Sequence, residues 1–166
     1  MATNGTVSGG ISDGVLIGEG GTLGATSAIA IGTKVSATNT NAIAIGTGDN
    51  VSGISSGAIG DPTTVSGNYS YAVGNGNTVA QNNDFVFGNG ITTNYANEVV
   101  LSNLSKDTSV DHPSGYTSVT QATIGTKTYT GFAGTSPVGL VSVGSEGGER
   151  QIINVAAGAI DATSTD

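Results

Sequence analysis

Several residue types are missing from the sequence or rare in it, and their absence excludes some classes of function. It has no cysteine, no tryptophan, a single histidine (His112) and only four basic residues among 166. Without cysteine there is no disulfide framework and no thiol chemistry. One histidine leaves no credible Ser/His/Asp set, so we expect no catalytic residues and no enzyme activity. Twelve acidic residues give a net charge of −8, which argues against nucleic acid and anionic membranes as partners.

Long apolar runs are absent as well. No stretch of about 18 apolar residues occurs, and the first ten residues, MATNGTVSGG, have neither the basic nor the apolar region of a signal peptide. We therefore expect a soluble chain that makes no contact with a membrane. Gly-rich stretches such as GNGNTV at 74–79 do not have the spacing of a phosphate-binding loop, and we expect no cofactor.

Glycine is abundant, and its spacing is regular. The six glycines Gly18, Gly32, Gly46, Gly60, Gly74 and Gly88 lie fourteen residues apart. Most follow a short apolar segment: VLIG, AIAIG, AIAIG, SYAVG or DFVFG. A fixed period over about a hundred residues indicates one short unit stacked on itself. The sequence therefore predicts an all-β solenoid of 14-residue coils, which offers a long patterned wall and favours binding over catalysis.

Within each repeat, the apolar segment is apolar on both faces of a strand. Counting from each glycine as zero, positions −3 and −1 hold large apolar residues except at Gly57, and we predict that they face the coil interior. Position −2 lies on the opposite face and is mostly alanine, which predicts contact with further copies of the chain. The alternative is a row of small residues tolerated at the surface. The row consists of Ala30, Ala44, Ala58, Ala72, Val86 and Val100.

A second strand in each repeat alternates apolar and polar residues. Position +5 is mostly apolar and predicted to face the interior, from Leu23 to Thr93. Position +4 is polar and is our candidate ligand-binding wall, which consists of Thr22, Ser36, Asn50, Thr64, Thr78 and Thr92. Such a hydroxyl-rich ladder also permits an ice-binding solenoid. Against that alternative, Ser36 and Asn50 interrupt the row of threonines.

The pentads at period fourteen resemble the head repeats of trimeric autotransporter adhesins, the family of the Yersinia adhesin YadA. Residues 132–166 resemble the neck of that family, in particular VSVG at 141–144, ERQI at 149–152 and NVAAG at 154–158. The resemblance implies a left-handed parallel β-roll over residues 1–102 that assembles as a parallel homotrimer. It also implies that residues 132–166 are a neck leading to a coiled-coil stalk that this chain does not contain.

The same resemblance implies a function. Adhesins of this kind stand on the bacterial cell surface and are anchored in the outer membrane, so we expect this chain to be a soluble extracellular fragment of such a protein. We expect multivalent, non-covalent attachment to host extracellular matrix proteins, with collagen, fibronectin and laminin as candidates, or to other surfaces. The alternative is a rigid structural spacer or an autoaggregation segment within a longer fibre.

The remaining segments break the period. Residues 103–131 contain two strand-like pieces around a Gly-Thr turn and are predicted to form an inserted β-hairpin. Asp107, Asp111 and His112 lie in this segment, but they are too few to bind zinc, and DHPSG at 111–115 is predicted to be a solvated turn.

The neck contains a candidate lock formed by Glu149, Arg150 and Asn154. At the junction between a wide roll and a thin stalk, we expect Arg150 to pair with a carboxylate of a neighbouring subunit. The alternative is an exposed arginine that contributes little to stability.

Overall fold

The computed structural model describes residues 2–8, 10–107, 120–132, 137–156 and residue 158. Every regular element in these ranges is a β-strand, and they contain no helix that could span a membrane. The strands are β1 (Ala2–Thr3), β2 (Thr6–Val7), β3 (Val15–Glu19), β4 (Thr22–Leu23), β5 (Ile29–Thr33), β6 (Ser36–Ala37), β7 (Ile43–Thr47), β8 (Asn50–Val51), β9 (Gly57–Gly60), β10 (Thr64–Val65), β11 (Tyr71–Val73), β12 (Thr78–Val79), β13 (Phe85–Phe87), β14 (Thr92–Thr93), β15 (Val99–Leu101), β16 (Gln121–Ile124), β17 (Lys127–Thr130) and β18 (Val141–Ser142).

The first fifteen strands and β18 form two parallel sheets that face each other. The nine-stranded sheet has the order β1-β3-β5-β7-β9-β11-β13-β15-β18, and the seven-stranded sheet has the order β14-β12-β10-β8-β6-β4-β2. From β3 to β15, each residue pairs with the residue fourteen positions later, as Ala44 does with Ala58 and Val51 with Val65. The predicted solenoid of 14-residue coils is confirmed. Its left-handed winding stays a prediction.

The row of glycines from Gly18 to Gly88 explains why the period stays at fourteen from β3 to β15, whereas β1 and β2 pair with residues sixteen positions later. A Cβ atom built on Gly46 would lie 1.9 Å from the carbonyl oxygen of Gly60, and one on Gly32 would lie 1.8 Å from that of Gly46. Gly46 also has a φ of 143°, which L side chains rarely adopt. Each coil therefore stacks on the next through a position at which no side chain fits.

The interior of the roll corrects the predicted orientation of the longer strand. The alanines at position −2 are fully buried within a single chain, with Ala30, Ala44 and Ala58 at 0% exposure. Positions −3 and −1, predicted to face inward, point outward instead, as Ile59 and Phe87 do at 49% and 64% exposure. The assignment of the −2 row, from Ala30 to Val100, to contacts between copies is therefore wrong. The full row consists of Ala30, Ala44, Ala58, Ala72, Val86 and Val100.

The physical reason is the small width of the coil. Position −2 of one sheet meets position +5 of the other, so Ala44 and Val51 fill the interior of one coil together, and both are fully buried. Alanine does allow a close approach between backbones, but the approaching layer is the opposite strand of the same coil. The prediction for position +5 is confirmed, since Leu23, Val65 and Thr93 are all buried.

The C-terminal segments extend the roll and add a hairpin. β18 pairs with β15, with Val141 opposite Val99, so the segment beyond the insertion contributes a ninth strand to the larger sheet. β16 and β17 form the antiparallel hairpin predicted in the insertion, joined at Gly125 and Thr126. The predicted turn with Asp111 and His112 lies outside the described residues. The boundaries drawn at 102/103 and 131/132 stay predictions.

Candidate functional site

The outer side of the nine-stranded sheet is a continuous apolar surface. We call it the apolar face, and it is formed by the side chains at positions −3 and −1. Its most exposed members are Phe87, Val141 and Phe85, at 64%, 63% and 53% exposure. Strands of an all-parallel sheet are normally covered on both sides. The members are Val15, Ile17, Ile29, Ile31, Ile43, Ile45, Ile59, Tyr71, Val73, Phe85, Phe87, Val99, Leu101 and Val141.

The apolar face becomes aromatic over its second half. The ring of Tyr71 stacks on that of Phe85, with their centroids 5.7 Å apart. Gly57 makes room for this arrangement, since a Cβ atom there would lie 2.8 Å from Cδ1 of Tyr71. Beside the rings lies a small apolar groove of about 220 Å³, which Phe87 and Leu101 also line. The segment SSGAIG at 55–60 has a shorter apolar part than the other repeats, because it has Gly57 at position −3. This glycine leaves space for the ring of Tyr71 in the next coil.

The predicted wall lies on the outer side of the seven-stranded sheet, away from the apolar face. Its residues pair in register along the sheet, Thr64 with both Asn50 and Thr78. Asn50, Thr78 and Thr92 are exposed, whereas Thr22, Ser36 and Thr64 are half-buried. The prediction that this row faces outward is confirmed. Its role in binding a ligand stays a prediction.

Arg150 links the segment predicted to be a neck to the end of the roll. Its Nη2 donates to the carbonyl oxygen of Asn103 at 2.9 Å, and its Nη1 donates to those of Val143 at 3.0 Å and Gly148 at 3.3 Å. Among the described residues these acceptors are all backbone carbonyls, and the side chain is exposed. A carboxylate partner from another subunit stays a prediction.

The other two predicted lock residues have local roles. The Glu149 carboxylate accepts a hydrogen bond from the backbone N–H of Gly147 at 2.8 Å. Asn154 is exposed and has a φ of 60°, in the left-handed region that asparagine tolerates. Near them, a shallow cavity of about 530 Å³ is lined by Lys106, Ser142 and Arg150 among others.

Two polar ladders inside the roll were missed at the sequence level. On position +3, the Asp49 carboxylate accepts from the backbone N–H of Thr63 at 2.7 Å, and the Thr63 hydroxyl donates to the carbonyl of Gly74 at 2.7 Å. On position −4, Ser56 donates to the carbonyl of Gly67 and Ser70 donates to that of Gln81, both at 2.7 Å. The available signal was the recurrence of small polar residues at one position of the repeat.

The position −4 ladder ends in buried acids. Asp84 and Glu98 are fully buried, and Asp107 lies beside them at the end of the position +5 row. Burial, with the hydrogen bond to Asp107 and the charges of Asp107 and Asp84, raises the pKa of Glu98 to about 8. Burial also raises the pKa of Asp84. Glu98 is therefore protonated at neutral pH and able to donate to the Asp107 carboxylate.

Asp107 itself is held by the preceding coil. Its carboxylate accepts from the backbone N–H of Tyr95 at 3.1 Å and from the side-chain amide of Asn94 at 2.7 Å. Among the described residues, no group of three or more His, Cys, Asp or Glu side chains has the arrangement of a metal site. The acid cluster is therefore a feature of the roll's interior and lies away from both outer faces.

Comparison with known proteins gives one informative result. A scan against protein-family models and a search of curated proteins found no match. Among solved structures, the C-terminal YadA-like domain of BPSL2063 from Burkholderia pseudomallei is 32% identical, with a TM-score of 0.39, and the match covers 67% of this chain and 42% of that chain. This chain is similar to a YadA-like domain. The resemblance predicted from the pentads and the neck is thereby confirmed.

The roll thus presents two outer faces of opposite character. The predicted wall is found where it was expected, but the apolar surface belongs to positions −3 and −1 and not to position −2. Sequence alternation could not distinguish the two sides of the longer strand, because both are apolar. The size of the residues could have done so, because the row of small residues at position −2 suits the narrow space between the two sheets better than the large residues at positions −3 and −1.

Proposed function

We propose that this chain is the head and neck of a bacterial cell-surface adhesin that works as a parallel homotrimer. The observation that carries the proposal is the apolar face, which runs along the nine-stranded sheet from β3 to β18 and is uncovered in the single chain. An exposed apolar surface of this extent is typical of an interface between proteins. The similarity to a YadA-like domain supports the same assembly and a location on the cell surface, with the outer-membrane anchor in the rest of the protein.

A second copy of the chain is the occupant that fits the apolar face best. The face repeats with the strand spacing, so a partner with the same spacing can match it at every coil. A parallel arrangement places Tyr71 and Phe85 of each copy at the same height, where aromatic rings can pack together. Closure around a threefold axis would leave the wall of every copy exposed to solvent.

The assembly is tested with a paired substitution on each face. We expect Phe85→Arg with Phe87→Arg to give monomer or aggregate in sedimentation, because charges would be buried in a dry interface. Thr78→Arg with Thr92→Arg places the same charges at neighbouring coils of the wall and should leave the trimer intact. A stable trimer of the first variant would show that the apolar face does not contact another copy.

For adhesion, we propose that the wall binds a ligand through many weak contacts along the coils. Three copies provide repeated surfaces, so the whole can bind strongly although each contact is weak. An elongated ligand such as collagen can lie along several coils, and fibronectin and laminin are further candidates. The net charge of −8 would add a salt-sensitive attraction to basic ligands.

The adhesive role is tested by solid-phase binding of the intact trimer to collagen, fibronectin and laminin. We expect Asn50→Glu, Thr64→Glu and Thr78→Glu together to weaken binding strongly, whereas Thr64→Ala alone should have little effect. Binding that survives the triple variant but is lost on deleting residues 108–131 would assign adhesion to the hairpin. Binding to none of the three proteins would favour the role of a rigid spacer.

A further inference from the structure

Four segments of the chain have the Asn-x-Ser/Thr pattern that asparagine glycosyltransferases recognise. They begin at Asn4, Asn50, Asn68 and Asn103. In a chain rich in asparagine, serine and threonine the pattern alone carries little information. The fold, however, divides the four segments into two classes, because a transferase needs access to both the asparagine amide and the hydroxyl two residues later.

Asn50 and Ser52 satisfy both requirements. Both side chains are exposed: Asn50 begins β8 on the wall, and Ser52 follows directly after this two-residue strand. Among the described residues, the Asn50 amide makes no hydrogen bond, so the folded chain does not restrain it. The neighbours of Asn50 along the wall are Ser36 and Thr64, whose short side chains leave space above the amide.

At Asn68 and Asn103 the hydroxyl two residues later is not accessible. The hydroxyl of Ser70, two residues after Asn68, is buried and donates to the carbonyl of Gln81 at 2.7 Å. The hydroxyl of Ser105 is also buried and donates to the carbonyl of Leu101.

Their amides are engaged as well. The Asn68 side-chain oxygen accepts from the backbone N–H of Ile54 at 2.9 Å. That of Asn103 accepts from the backbone N–H of Asn89 at 3.1 Å and from its side-chain amide at 2.9 Å. Modification at either site therefore requires that a coil open first.

We infer that Asn50 is an acceptor for N-linked glycosylation, with an activated hexose as the donor, and that Asn4 is a second acceptor. Asn4 and Thr6 are both exposed, as Asn50 and Ser52 are. In the reaction, the Asn50 amide nitrogen attacks the anomeric carbon of a nucleoside-diphosphate hexose. The C–N bond forms, the C–O bond to the diphosphate breaks, the amide loses one proton to the transferase, and the nucleoside diphosphate leaves.

The site does not depend on how many copies assemble. Asn50 lies on the seven-stranded sheet, whereas the apolar face lies on the nine-stranded sheet. A hexose on Asn50 would stand in the middle of the wall and change which ligands can lie along it. Glycosylation of Asn50 would therefore directly affect any ligand binding by the wall.

The test uses the folded full chain, UDP-glucose and a soluble asparagine glucosyltransferase. Trypsin would leave three of the segments in one peptide, since no Lys or Arg lies between Lys34 and Lys106. An endoproteinase that cleaves before aspartate separates all four. The relevant peptides are 1–12, 49–60, 61–83 and 84–106.

We expect peptides 49–60 and 1–12 to gain one hexose, with occupancy at least about tenfold higher than in 61–83 and 84–106, because those sites need local opening. The chain denatured in urea and diluted into the reaction should gain hexose on all four peptides. Ser52→Ala should abolish the gain on 49–60, whereas Ser66→Ala, at the same position of the next coil, should preserve it.

Two results would overturn the inference. One is a folded chain that stays unmodified on 49–60 while the denatured chain is modified there. The other is a chain that takes no hexose on 49–60 in either state, since the segment would then be no acceptor.

Discussion

The coils near residues 28–51 and those near residues 84–107 share one backbone plan but differ in their interiors. The first set is filled mainly by Ala28, Ala30, Ala42 and Ala44, with Val35 and Val51 opposite, and its one buried acid is Asp49. The second set buries Asp84, Thr93, Glu98 and Asp107 at equivalent positions of the repeat. Parallel pairing is in register in both sets. The stacking of the backbone therefore sets the geometry, whereas the interior side chains set how stability responds to the solution.

The largest effect should come from the feature that both sets share. We expect Gly46→Ala to lower the free energy of unfolding by about 3 kcal/mol or more, because the added methyl group meets the Gly60 carbonyl at 1.9 Å and φ is 143°. Gly88→Ala should cost less, since its contact with the Ser102 carbonyl is 2.4 Å and its φ is not in the left-handed region. Urea denaturation followed by circular dichroism measures both.

A glycine outside the stacking row provides the control. Gly76 has a φ of 67° and only the Gly90 nitrogen within reach, at 3.9 Å. Gly76→Asn should therefore be tolerated, because asparagine enters this backbone region readily. A cost for Gly76→Asn that equals that of Gly46→Ala would contradict the role given to the stacking row.

The second effect is the pH dependence of stability, to which the second set contributes Asp84 and Glu98 and the first set contributes Asp49. Glu98 binds a proton more tightly in the folded chain than in the unfolded chain, where its pKa is 4.5, so stability should fall as the pH rises from about 4.5 to about 8. The raised pKa values of Asp84 and Asp49, both due first to burial, add to the same trend. Unfolding free energies measured across this range should decrease with increasing pH.

Glu98→Gln should flatten this dependence, because an amide can donate to Asp107 without titrating. Glu19→Gln, an exposed substitution in the alanine-rich half of the roll, should leave the slope unchanged. A wild-type slope that persists in Glu98→Gln would mean that the buried acids of the second set do not control the response.

The smallest effect concerns one turn between the two sets. Tyr69 has a φ of 58° and is largely exposed, whereas the equivalent positions of nearby coils hold Asn41, Ser55, Asn83 and Asn97 at similar φ. Tyr69→Asn should stabilise the chain by about 1 kcal/mol, since asparagine adopts this conformation with less strain. Thermal denaturation measures the gain, and Asn83→Tyr should show a loss of similar size. A destabilised Tyr69→Asn variant would indicate that the ring makes a contact that matters.

The sequence predicted the repeat, the strand positions, the wall and the hairpin, because each depends on spacing that can be read along the chain. It did not predict which side of the longer strand is buried, since Ala44 and its neighbours Ile43 and Ile45 are all apolar. The buried acids were also missed. A carboxyl such as that of Glu98 reads as a surface residue until the fold shows Asp107 beside it, and these two residues come together only through stacking.

The glycine row also limits how this molecule can change in length. Deleting one residue inside a coil would move a side chain under a carbonyl of the next coil and turn the alanine row to the outside. Only the removal or addition of a whole coil preserves every contact, and each step changes the sheet by about 4.8 Å. The length of the roll can therefore change only in steps of one 14-residue coil, and it is set by how many copies of the repeat the gene contains.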